Sequence, residues 1–197
     1  MRLNRAGRVW LAATFATCAP VLGQDRPTIS LAGTVRVRSA DRTPAIVYVS
    51  APRAAARATD TVVIDQHRLA FVPLVLLVAP GGVVRFLNSD PLVHSVFSPT
   101  AATGPFDLGR YGPDESRTRT FALEGAAVIL CRIHPEMAGH VLVADALRWT
   151  ATDADGRFRL YDVPSDAGEM VVWHWRGGTR VVSLAGRPPG PINIRLP

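Results

Sequence analysis

Three observations predict an all-β chain. Short apolar runs rich in β-branched residues recur along it, turn-forming residues separate them, and no long helical periodicity follows Gln24. "TVRVRS" (34–39), "AIVYVS" (45–50), "TVVID" (61–65), "VLLVAP" (75–80) and "VVRFLN" (83–88) carry the pattern in the first half. "RTRTFAL" (117–123), "AAVILC" (126–131), "HVLVAD" (140–145), "RFRLYDV" (157–163) and "EMVVWHW" (169–175) continue it. Branching at Cβ restricts a side chain against the preceding turn of a helix but packs well on a pleated surface. Strands of this length between regular turns read as β-sandwiches. Residues 98–119 are the least regular and read as a loop or a helical turn. The alanine-rich "PRAAARATD" (52–60) is too short for a helix and reads as a connector.

Size and composition set the frame. A chain of 197 residues buries one good core or two small ones, and 48% apolar residues do not describe a disordered chain. Arg2, Arg5 and Arg8 precede the apolar "VWLAATFATCAPVLG", which is too short to span a bilayer comfortably and ends in small residues before Gln24. Residues 1–23 therefore read as an export signal, which predicts an oxidising, periplasmic or secreted setting and a mature chain that does not span a membrane. Loss of the three arginines would lower the net charge from +6 to +3. Every basic residue is an arginine, and no basic run interleaved with aromatics points to nucleic acid. A mildly cationic face would suit an acidic partner.

Cysteine usage then becomes informative. With Cys18 in the signal, Cys131 is the one cysteine of the exported chain. A lone thiol in an oxidising compartment is exposed to wrong pairing and oxidation unless it is buried or bound. It opens "CRIHPEM" (131–137), where a thiol, an imidazole and a thioether follow at three-residue spacing. Strand-like "AAVIL" leads in and "GHVLVAD" leads out, so Cys131, His134 and Met137 share a tight loop between neighbouring strands. Upstream, "VVRFLNSDPLVHSVFS" sets His94 at the start of another strand. One soft thiolate, two imidazoles and a weak thioether suit copper in both of its oxidation states, whereas methionine is a poor zinc ligand.

These motifs resemble a known family. "LAFVPLVLLVAPGGVVRFLNSDPLVHSVF" (69–97), with its V-x-F-x-N-x5-H core, resembles the plastocyanin and pseudoazurin group of cupredoxins. "CRIHPEM" resembles the short ligand loop of the amicyanin type, and the whole arrangement is similar to chains called methylamine utilisation proteins. The resemblance covers about residues 60–145. It implies a Greek-key cupredoxin sandwich over residues 60–146 with one type 1 copper held by His94, Cys131, His134 and Met137. It also implies a His134 edge exposed among apolar residues, for which Pro91, Leu92, Pro135 and Ala138 are available. One departure is Ser95, where many relatives have an asparagine that ties the two ligand loops together. His67 and Arg68, just before "LAFVP", are expected on the same face.

The flanks carry a second resemblance. "GTVRVRSADRTPAIVYVSAP" (33–52) and "TATDADGRFRLYDVPSDAGEMVVWHW" (150–175) resemble two halves of a carboxypeptidase-regulatory-like β-sandwich. The implied organisation is a split module, residues 29–59 and 147–197, interrupted by the copper domain. Such modules are non-catalytic scaffolds.

Other features have plainer readings. "DADG" (153–156) lacks a glutamate at the twelfth position of a calcium loop and reads as a hairpin turn. In "WHW" (173–175) the tryptophans share one strand face, taken as a core edge, and His174 the other, taken as exposed. His140 reads as a strand-surface residue, and Asp107, Asp114 and Glu115 as solvated loop charges.

The expected function is that of an exported one-electron carrier between redox partner proteins, with an acidic cytochrome or dehydrogenase as the type of partner. The alternative is a copper-handling protein for storage or delivery, or a structural binding protein. With five histidines in all, the chain offers too few ligands for the extra centres of a multicopper oxidase or nitrite reductase, so no enzyme is expected unless another chain supplies the second centre. Methionines beyond Met1 are Met137 and Met170 alone, which gives no methionine-rich copper tract.

Overall fold

The computed structural model describes residues 27–38, 42–51 and 61–197. The expected export signal and the connector at 52–60 lie outside the described residues. Within them the chain is all-β, with sixteen strands in chain order. They are β1 (Thr28–Val37), β2 (Ile46–Ser50), β3 (Thr61–His67), β4 (Ala70–Val72), β5 (Val75–Val78), β6 (Gly82–Asn88), β7 (His94–Ser98) and β8 (Phe106–Tyr111). There follow β9 (Ser116–Phe121), β10 (Gly125–Leu130), β11 (Ala138–Val143), β12 (Ala146–Ala151), β13 (Arg157–Pro164), β14 (Glu169–His174), β15 (Gly178–Ser183) and β16 (Ile192–Leu196).

The strands form four sheets, with orders β13-β1-β16, β12-β2-β14-β15, β5-β11-β10-β7-β8 and β4-β3-β6-β9. β1 pairs antiparallel with β13 and parallel with β16, and β2 lies between β12 and β14. Every strand from β3 to β11 pairs only within the other two sheets.

Each pair of sheets encloses its own core. Ile64, Phe71, Phe86, Val96, Phe121, Ile129 and Val141 fill the β3–β11 sandwich. Val35, Val47, Phe158, Val163, Met170 and Ile192 fill the one built from the first and last strands. In β6, "GVVRFLN", every second residue is buried, as a strand with one face inward requires. β5, "VLLV", is buried on both faces. Its Leu76 and Val78 join the sandwich core, while Val75 and Leu77 meet Ile46 and Leu142 in a third cluster. Ile46 comes from β2, so the two sandwiches press sheet against sheet across this layer. An unbroken apolar run is what a strand covered on both faces needs.

Three readings of the sequence are overturned in these layers. His140 is not a surface residue: it is 7% exposed, on the outer face of β11, and stacks on Trp175 with centroids 4.9 Å apart. His174 is fully buried, its Nε2 3.0 Å from the Thr43 carbonyl and its Nδ1 accepting the N–H of Gly177 at 3.0 Å. Trp173 and Trp175 take the outer face instead, toward His140. Alternation along β14 separates the tryptophans from the histidine as expected, but it cannot say which face a second sandwich will cover. Residues 98–119, read as a loop or a helical turn, contain β8 and the start of β9. β8 has few β-branched residues and a glycine at φ 72, which leaves its pattern faint.

Candidate metal centre

The loop between β6 and β7 is framed from within. The Asn88 side-chain amide donates to the Leu92 carbonyl at 2.8 Å, and its Oδ1 accepts the Asp90 N–H at 3.1 Å. The Ser89 N–H reaches the Gln66 carbonyl at 3.1 Å, so β3 holds the loop from outside. This frame delivers His94 to the first position of β7 with its ring fully buried.

The second loop joins antiparallel β10 and β11, whose last pair is Leu130 with Ala138. Cys131 N–H donates to the Met137 carbonyl at 3.4 Å and Met137 N–H to the His134 carbonyl at 3.0 Å. Cys131 is 4% exposed and Met137 1%, while His134 is half-buried. Cys131 and Met137 both pack into the core of the β3–β11 sandwich.

Three side chains converge. His94 Nδ1 lies 3.0 Å from His134 Nδ1, and Cys131 Sγ lies 4.0 Å from the first and 3.7 Å from the second. Bonds of roughly 2.0 Å to nitrogen and roughly 2.3 Å to sulfur, set 120° apart, would separate donors by roughly 3.5 and 3.7 Å. The observed triangle is close to that, so the donor set fits one metal ion. The two rings meet edge to face, with centroids 4.7 Å apart. Met137 ends the same loop and packs with Cys131 in the core of this sandwich.

Electrostatics favour the thiolate. Burial pushes the Cys131 thiol up, but the N–H groups of Ser95, Ile133 and His134 that hydrogen-bond to its sulfur, with the His94 ring beside it, bring it down to about 6. The tie expected of an asparagine is made by Ser95. Its Oγ accepts the Arg132 N–H at 2.9 Å and stands 3.7 Å from Cys131 Sγ. Gln66 backs this strand, its Nε2 donating to the Ser95 carbonyl at 3.3 Å.

The residue that sequence reasoning missed is Asp90. Its carboxylate lies 2.9 Å from His94 Nε2 and accepts the N–H groups of Arg68 at 2.6 Å and Leu69 at 2.9 Å. The signal was present as an aspartate four residues before the histidine, where the helical habit of reading i, i+4 does not apply to a loop. Asp107 lies on β8 rather than in a loop, and accepts from Arg132 Nε at 2.8 Å. Asp153 holds a turn, its Oδ1 accepting the N–H of Asp155 at 2.9 Å and of Arg157 at 2.7 Å. His67 is exposed at the end of β3, one residue before the turn that Asp90 holds.

No protein-family model matches the sequence, and no curated protein matches it. Among solved structures, the chain is similar to the Cu-containing nitrite reductase NirK from Thermus scotoductus SA-01. Identity is 28% with a TM-score of 0.42, over 50% of this chain and 26% of that one. The chain thus spans about a quarter of the reductase's length. It is also similar to variants of amicyanin. A Cu(I) form gives 22% identity and a TM-score of 0.40 over 42% of this chain and 81% of that one. A reduced form gives 22% and 0.41 over 57% and 97%.

Proposed function

We propose that this chain binds one copper ion through His94, Cys131, His134 and Met137 and carries single electrons between protein partners in the cell envelope. The observation that carries the reading is the buried triangle of Cys131 Sγ and the Nδ1 atoms of His94 and His134, with a thiol that ionises near pH 6. A thiolate, two imidazoles and a weak axial thioether are the donor mixture of blue-copper sites. Copper bound there would supply a one-electron couple.

The protein's own groups do the rest. Burial of Cys131, His94 and Met137 keeps water from the sulfur, and hydrogen bonds within both loops hold the donors in place. A site that cannot relax around either oxidation state exchanges electrons with little rearrangement. His134 is the donor nearest to solvent, so its ring is the exit toward a partner. Leu92 and Val93, at 46% and 48% exposed, and exposed Pro91 and Pro135 supply apolar surface on the two ligand loops. Contacts of this kind dock partners briefly and without strong charge pairing. His67 and Arg68 would lie at the rim of this surface and act on encounter rate. The strands that flank the copper unit would form a split regulatory-like scaffold of residues 29–59 and 147–197.

Copper storage or delivery is the competing reading, and one experiment separates them. Copper-loaded protein is cycled at an electrode and then challenged with a Cu(I) chelator. A carrier gives reversible one-electron waves and keeps its copper. Rapid loss of copper without a reversible wave would identify a delivery protein.

A further inference from the structure

Asp90 is 5% exposed, yet its carboxylate gathers three donors: His94 Nε2 and the N–H groups of Arg68 and Leu69. The two N–H groups belong to a turn in which both residues have positive φ, 54° for Arg68 and 59° for Leu69. Neither is glycine, so this conformation needs external support. The turn closes β3 onto β4, and Leu69 is 38% exposed at its tip. One buried carboxylate therefore ties a strained surface turn to a candidate metal ligand.

The chemistry at His94 follows from the acceptor at its far nitrogen. A carboxylate only accepts, so Nε2 carries the proton, and in the neutral ring Nδ1 presents its lone pair to the centre. The 3.0 Å contact between the two Nδ1 atoms agrees, with His134 as the donor in the metal-free protein. A negative partner on the back of an imidazole also raises its basicity as a ligand. It stabilises the more highly charged metal more than the less charged one.

We propose that Asp90 is a positioning residue. It fixes the tautomer and orientation of His94, and its charge lowers the reduction potential of the copper site. This inference rests on the copper-binding reading above. Removing the charge should weaken Cu(II) binding by roughly 10- to 100-fold. Cu(I) binding should weaken less, so the potential must rise.

The test combines one measurement without metal and one with it. In the copper-free parent, nitrogen NMR of the imidazoles should show His94 protonated at Nε2. Protonation at Nδ1 would overturn the proposal without any variant. In the copper-loaded state, Asp90→Asn keeps the shape and removes the charge. It should stay blue while its potential rises, whereas Glu169→Gln, which neutralises an exposed carboxylate on β14 of the other sandwich, should leave the potential nearly unchanged. A blue Asp90→Asn variant at the parental potential would refute the role of Asp90 alone. A parent that never turns blue would instead refute the copper reading.

Discussion

Ser95 Oγ accepts the peptide N–H of Arg132 at 2.9 Å, and this bond joins the strand that begins with His94 to the loop that begins with Cys131. The bond spans 37 residues of sequence. Ser95 is 1% exposed, so no solvent replaces it. Ser95→Ala would leave the Arg132 N–H without its acceptor and should cost about 1–3 kcal/mol in chemical denaturation. The spectrum of bound copper should broaden as the loops loosen. Parental stability with an unchanged spectrum would mean that the hydroxyl is not the tie.

The thiol makes stability pH-dependent in the copper-free protein. Its folded value, about 6, lies below the ordinary thiol value of 9.0. A group that ionises more readily when folded stabilises the fold above the unfolded value, and this contribution fades as pH falls through the folded one. Stability from this source should therefore be full above about pH 9, decline between pH 9 and pH 6, and be flat below. Denaturation midpoints of the parent and of Cys131→Ser across that range check this. Parallel curves would contradict a depressed thiol.

The layer between the sandwiches should couple their unfolding. Ile46 is fully buried against Val75, Leu77 and Leu142 from the other unit. Ile46→Ala should cost roughly 2–5 kcal/mol. Calorimetry should show one transition in the parent and separated transitions in the variant. A parent that melts in two steps would mean that the layer does not join the units.

The apolar surface on the ligand loops should matter for exchange and not for the metal. Leu92→Glu places a charge on a side chain that is 46% exposed, beside the His94 loop. Electron self-exchange should slow several-fold while potential and colour stay as in the parent. Unchanged exchange would move the exit away from this face.

Much of this was legible in the sequence, for identifiable reasons. Alternation fixed the faces of β6, and spacing placed Cys131, His134 and Met137 on one loop between strands. Local pattern could not reveal what covers an outer face. His140 was misjudged because β11 is covered on a side that only the other sandwich supplies, and His174 because it shares the inner face of β14 with Met170 and Val172. Asp90 escaped because its role depends on a turn contributed by residues 68 and 69, far away along the chain. Ser95 is shorter than the asparagine expected there, and it bridges the loops because the Arg132 N–H comes within 2.9 Å.

The most direct test is to add Cu(II) to the purified parent and to Cys131→Ser and record visible spectra. The parent should develop the intense blue band of thiolate-to-copper charge transfer, and the variant should lack it, because that absorption requires a copper–sulfur bond. A colourless parent, or a variant that stays blue, would contradict a copper centre built on Cys131.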